Sequence, residues 1–200
     1  MDIKVLSSQF VYSVPKLSMM QELNGEIAFV GRSNVGKSSL INAVCHKKDL
    51  ARVSKMPGRT RHAVVYDLVM SNDIVQKKIT VVDLPGFGFA LMSKTEALEC
   101  EQLIFSYLEQ RHALKHIFLL LDIRRDPDER ERQIVKIGQT RGLGFHFVLT
   151  KCDKISVSSR KPIYNKICAE LKLAPDSVVF HSTFDEKYKH QLQELIWSQY

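Results

Sequence analysis

Gly31-Arg32-Ser33-Asn34-Val35-Gly36-Lys37-Ser38 satisfies the pattern G-x-x-x-x-G-K-[ST] at every fixed position. The residues ahead of it, Glu26-Ile27-Ala28-Phe29-Val30, have the short apolar run of a buried strand. Those behind it, Ser39-Leu40-Ile41-Asn42-Ala43-Val44, read as the first turns of a helix. A strand, a glycine loop and a helix N-terminus in that order make a cradle for phosphate. Backbone N–H groups converge on the anion and the helix dipole favours negative charge. In this reading the backbone from Asn34 to Ser39 holds phosphates, Lys37 reaches the outermost ones, and the Ser38 hydroxyl ligates Mg²⁺.

Two further motifs name the base. Ile79-Thr80-Val81-Val82-Asp83-Leu84-Pro85-Gly86 is a β-branched run ending in D-x-x-G, with a turn forced by Pro85-Gly86. Asp83 is expected beside the cradle, supporting Mg²⁺ through water. The Gly86 N–H is expected to bond the γ-phosphate and so to sense whether it is there. Downstream, Phe145-His146-Phe147-Val148-Leu149-Thr150-Lys151-Cys152-Asp153 is a strand ending in T-K-x-D. A carboxylate accepts two coplanar hydrogen bonds, and guanine offers N1–H and N2–H₂ side by side. Adenine has neither donor, and a site built around hydrogen bonds can reject a ligand lacking them by roughly 10⁴–10⁵. Asp153 therefore reads guanine, the Lys151 stem covers one face of the base, and Cys152 is a neutral filler. The predicted nucleotide is GTP.

Composition suits a switch of one domain. The chain has 200 residues and is 44% apolar, enough to bury a core, and its charged fraction of 26% is too ordinary for disorder. Within the expected helices and strands, the run 117–121 is the longest uncharged apolar stretch and is far too short to span a membrane. The N-terminus lacks the pattern of a signal peptide, and the four cysteines show neither a C-x-x-C pair nor zinc spacing, which suits a reducing cytoplasm. Strands are expected near 27–30, 62–69, 78–82, 116–121, 145–149 and 177–180, and helices near 37–45, 96–110, 128–140, 158–171 and 186–198. A hairpin turns at Ser71-Asn72-Asp73. The fold class is α/β: a P-loop NTPase G domain with a mostly parallel six-stranded sheet, one antiparallel strand, and helices on both faces. Residues 1–24 are read as an N-terminal extension and 25–200 as the G domain, monomeric. Alternation at Ile3, Val5 and Phe10 hints at an edge strand ended by Pro15.

Residues 46–62 hold six Lys/Arg against one Asp, most of the chain's net charge of +7. Pro57-Gly58 breaks any helix there. The segment joins the cradle helix to the next strand, where a nucleotide-sensing loop belongs, and Thr60 is expected to close over Mg²⁺. The charge makes RNA a better partner than an acidic protein or a membrane, and DNA is not expected.

With these motifs placed, the chain resembles the EngB family (also called YsxC or YihA), bacterial GTPases that act in assembly of the large ribosomal subunit. The resemblance runs from about 24 to 198. It is carried by the cradle from Gly31 through Asn42, by Leu50-Ala51-Arg52 and Pro57-Gly58-Arg59-Thr60, by Asp83-Leu84-Pro85-Gly86-Phe87-Gly88-Phe89-Ala90, and by Thr150-Lys151-Cys152-Asp153-Lys154. The resemblance implies a lone G domain that binds GTP and GDP, needs Mg²⁺, and docks on the 50S subunit in its GTP form, with consequences for growth and division. The family's last guanine motif has paired serines and a later glycine. Here Val179-Phe180-His181-Ser182-Thr183-Phe184 has no later glycine, and either His181-Ser182 or Ser182-Thr183 takes the pair's place.

Catalytic roles fall to Lys37, Thr60 and Gly86, and metal ligation to Ser38, Thr60 and Asp83. Phe87 follows D-x-x-G where many GTPases place a water-orienting glutamine; a phenyl ring cannot polarise water, so unaided hydrolysis is expected to be slow. Asn34 stands where potassium-activated GTPases carry an asparagine, and a K⁺ held there would supply positive charge to the transition state. A ribosome-assembly switch fits better than a tRNA-modifying enzyme, whose G domain is attached to others, or a membrane transporter's regulator.

Overall fold

Alternating side chains along the strands send apolar groups to two opposite faces, and the helices divide between them. The computed structural model describes residues 3–21, 25–51, 61–88 and 92–200. Twelve regular elements run in the order β1 (Lys4–Val14), β2 (Glu26–Gly31), α1 (Lys37–Val44), β3 (Ala63–Ser71), β4 (Gln76–Asp83), α2 (Lys94–Gln110), β5 (Leu114–Asp122), α3 (Glu129–Arg141), β6 (Gly144–Thr150), α4 (Val157–Leu171), β7 (Val178–Phe180) and α5 (Glu186–Ser198). In β5, Ile117, Leu119 and Leu121 join one core with Ile104 of α2, Ile134 of α3 and Ile167 of α4. Phe118 and Leu120, between them in sequence, join a second core with Leu40 of α1 and Ile196 of α5. A strand buried on both faces reads as a continuous apolar run, which is why 117–121 carries no charge.

The sheet order is β1-β3-β4-β2-β5-β6-β7. Pairings from β4 through β7 are parallel, whereas β1–β3 and β3–β4 are antiparallel. The sheet therefore has seven strands, one more than the six expected. The additional strand is β1, whose eleven residues lie antiparallel along β3. The Ser8 hydroxyl, buried against the second core, fastens it by donating to the Cys45 carbonyl at 3.1 Å. With β1 in place the mostly parallel character stands, and the antiparallel part grows to two pairings.

The expected hairpin closes between Ser71 and Gln76. Asn72 Oδ1 accepts the amides of Ile74 and Val75, and Asp73 has φ 69°. Such a left-handed residue is tolerated best by Asp, Asn or Gly. Helix starts are also chemically specified. Ser93 and Glu96 form a capping box on α2, Asp128 and Glu131 another on α3, and Gly142 ends α3 at φ 62°. No helix among the described residues is long and apolar enough to cross a membrane.

Candidate nucleotide site

Parallel strands place their carboxyl ends on one edge, and the three sequence motifs all leave the sheet there. The loop after β2 begins at Gly31, where a Cβ would stand 2.7 Å from the Leu120 carbonyl oxygen. Neighbouring backbone thus excludes any side chain at 31. Val35 sends its side chain into the second core, Asn34 takes the left-handed region at φ 61°, and Gly36, at φ 106°, is the N-cap of α1. Ser38 and Ser39 follow, half-buried, in the first turn of α1.

The loop after β4 is stitched to this one. Ser33 donates its amide to the Phe87 carbonyl at 2.8 Å, and Phe87 donates to the Gly31 carbonyl at 3.3 Å. A Cβ on Gly86 would meet the Ser33 backbone at 3.0 Å. Lys37 Nζ and Asp83 Oδ1 form a buried ion pair at the foot of the cradle. Burial pushes the Asp83 carboxyl up, and the Lys37 ammonium pulls against that shift. Leu84, Pro85 and Phe87 are all buried. The Phe87 ring belongs to the core shared with α2, so it faces away from the cradle.

The loop after β6 reaches the cradle from the other side. Thr150 Oγ1 donates to the Val35 carbonyl at 2.8 Å, and Lys151 Nζ donates to the Asn34 carbonyl at 2.7 Å while lying 3.1 Å from Asp122. Burial raises the Asp122 carboxyl, but Arg124 and Lys151 more than reverse it, leaving the group well below the carboxylate range. Asp153 accepts from the Ser182 hydroxyl at 2.9 Å and pairs with Lys154 at 3.2 Å. Burial is the largest single influence and raises it, but these partners together bring it net below the usual value. Cys152 is fully buried in the first core, where desolvation raises its thiol.

The structure therefore brings together Gly31 to Ser39, Asp83 to Gly86, Thr150 to Asp153, and Ser182. Of the last motif, Ser182 faces Asp153, Thr183 is exposed, and His181 is buried beneath. Ser182 is common to both placements read from the sequence. Pro57, Gly58, Arg59 and Thr60 lie outside the described residues. Arg32 extends its side chain away from the cradle to Glu131 and Asp128 of the α3 cap. The D-x-x-E pattern at 128–131, a capping signature readable in the sequence, marks the helix end that receives it.

Residues 26–151 match the family described as 50S ribosome-binding GTPase. The probable GTP-binding protein EngB of Caldanaerobacter subterraneus subsp. tengcongensis is 36% identical over 185 residues, covering 92% of each chain. The chain belongs to the EngB family of GTP-binding proteins. EngB of Thermotoga petrophila is 44% identical over 138 residues, 69% of this chain and 67% of that one. A crystal structure of a probable GTP-binding protein engB superposes with TM-score 0.68 at 22% identity, covering 88% of this chain and 98% of that one. Aquifex aeolicus Era bound to GDP·AlF₄⁻ shares the fold at TM-score 0.69 and 23% identity, over 88% of this chain and 56% of that one. The protein is a GTPase built as a P-loop G domain.

The sequence gives no sign of how fully His181 is buried. Its ring is 1% exposed, and neither ring nitrogen has a hydrogen-bond partner among the described residues. Burial holds its pKa down to about 4. A depressed histidine is neutral when folded while the unfolded chain takes up a proton, so its contribution is complete above the unfolded value and is lost as pH falls towards 4. His116, held down to about 3 by burial and by His146, acts in the same direction. Urea unfolding at about pH 7 and about pH 4.5 isolates the share of His181: His181→Phe should lose less stability on acidification than the parent by about 2–3 kcal/mol. Equal losses would remove that assignment.

Proposed function

We propose that this protein is a nucleotide-gated switch in assembly of the large ribosomal subunit, with GTP raising its affinity for the 50S particle and hydrolysis releasing it. The family's description and the basic segment 46–62 support this partner, because a net +5 over seventeen residues suits a polyanion such as rRNA. One Era structure was solved with MgGDPNP and nucleotides of 16S ribosomal RNA. A cytoplasmic monomer, affecting growth and division through ribosome supply, completes the reading.

Within the site, Lys37 and the Asn34–Ser39 backbone hold phosphates, and Gly86, seated against Ser33, reports the γ-phosphate. Asp153, presented by Ser182 and Lys154, takes the guanine edge. The oxygen set fits Mg²⁺, a hard cation that takes one or two protein oxygens and fills its remaining positions with phosphate and water oxygens. Ser38 offers a hydroxyl and Asp83 a carboxylate at the cradle's foot, and Thr60 would join them. When bound, Mg²⁺ would neutralise charge on the outer phosphates. Asn34, exposed at the mouth, is the group that would hold K⁺. Phe87, turned into the core, leaves the attacking water without an orienting side chain at that position, which suits slow turnover.

Three measurements test these assignments. Asp153→Asn replaces a double acceptor by one acceptor and one donor, which matches the N1–H and C2=O of xanthine. The variant should therefore lose at least about a hundredfold in GTP affinity and prefer XTP, measured by competition with a labelled nucleotide. An unchanged GTP preference would overturn the role of Asp153. Sedimentation with purified 30S, 50S and 70S particles should show the protein with 50S when a non-hydrolysable GTP analogue is present, less with GDP, and less again as salt rises. Protein that stays in the supernatant under all conditions contradicts the ribosomal reading. Turnover in potassium buffer should exceed turnover in sodium buffer for the parent and match it for Asn34→Ala; equal rates in the parent remove the potassium proposal.

A further inference from the structure

Arg32 occupies the second position of the phosphate cradle, yet its guanidinium lies in an acidic clasp at the start of α3. Nε donates to Glu131 Oε1 at 2.6 Å, Nη2 donates to Glu131 Oε2 at 3.1 Å, and Nη2 stands 2.8 Å from Asp128. Glu131 is fully buried. Its Oε2 also accepts the Asp128 amide at 2.9 Å, so both carboxylate oxygens are committed. The backbone of Arg32 is equally engaged. Its carbonyl accepts the Val35 amide at 3.2 Å, and it bridges to Phe87 of the D-x-x-G loop.

We infer that Glu131, aided by Asp128, is a positioning residue for nucleotide binding, acting through Arg32 to hold the phosphate cradle in register with α3. A glycine-rich loop has many accessible conformations, and only some aim successive N–H groups at one anion. A two-pronged guanidinium–carboxylate pair removes that freedom at the loop's second residue, because its planar geometry fixes direction as well as distance. The same helix end is tied onward, by Arg130 to Glu101 of α2 and by Arg132 to Glu170 of α4. The loop is thus braced against the body of the domain across 99 residues of sequence. This inference rests on the cradle being the phosphate seat.

Glu131→Gln tests it with little change in shape. Both oxygens of Glu131 face donors, so an amide must turn its NH₂ towards either Arg32 or the Asp128 amide. Binding of fluorescently labelled GDP, and steady-state hydrolysis of GTP, should show Kd and KM raised by roughly tenfold or more with kcat nearly unchanged. Loss of a buried charge pair also lowers stability, so Kd and KM are compared well below the thermal midpoint of each variant. Arg32→Lys, which keeps the charge and loses the fork, should shift Kd in the same direction, and it carries the test alone if Glu131→Gln does not fold. The double variant Arg32→Ala/Glu131→Gln should be no weaker than Arg32→Ala, since both changes cut one link. Unchanged Kd in Glu131→Gln and in Arg32→Lys, or fully additive losses in the double variant, would overturn the inference. Lys37→Ala serves as the separate control: if it too leaves nucleotide binding intact, the phosphate seat itself is misplaced.

Discussion

A seam of backbone hydrogen bonds between two loops holds the whole site. Parallel pairing of β2 with β4 reaches Phe29 and Asp83, the Leu84 amide then donates to the Phe29 carbonyl, and the ladder runs on from Gly31, the last residue of β2, through Phe87 to Ser33 in the loops beyond. Two loops that would each be free to wander are thereby joined as if they were still sheet. Lys37 and Asp83 meet because of that seam, and Gly86 presses on Ser33 because of it. Any movement of one loop must be felt by the other, since backbone bonds leave little slack in register.

A second tie joins the base side of the site to the phosphate side. Thr150 and Lys151 both end on carbonyls of the cradle, at Val35 and Asn34. Ser182 then links the turn after β7 to Asp153. The groups assigned to guanine and those assigned to phosphate are thus one hydrogen-bonded body, and a substitution on either side is expected to register on both.

Motifs that act through consecutive residues were readable from the chain, because spacing alone decides which way a backbone N–H or a carboxylate faces. The cradle, the D-x-x-G turn and the T-K-x-D strand end belong to that class, as do the alternating helices and strands and the Ser71–Asp73 turn. Contacts made by distant residues were not readable. Nothing in the charge pattern distinguishes Arg32, clasped by Glu131, from an arginine that reaches into the ligand, because the pairing exists only once α3 is docked. The seventh strand was visible as an alternation at its first residues, yet its pairing with β3 depends on tertiary register, so the strand count fell short by one. The burial of His181 was hidden for a similar reason: a lone histidine after a strand looks alike whether it is wet or dry.

The inward turn of the Phe87 ring restricts how this protein's chemistry can change. The residue after D-x-x-G lies in a packed apolar layer with Leu84, Leu103 and Ile104. An amide placed there would be desolvated with no partner prepared for it, at a cost of about 1–3 kcal/mol. A water-orienting side chain is therefore not gained by one substitution at 87: a polar group there would have to displace a whole apolar layer before it could reach the cradle.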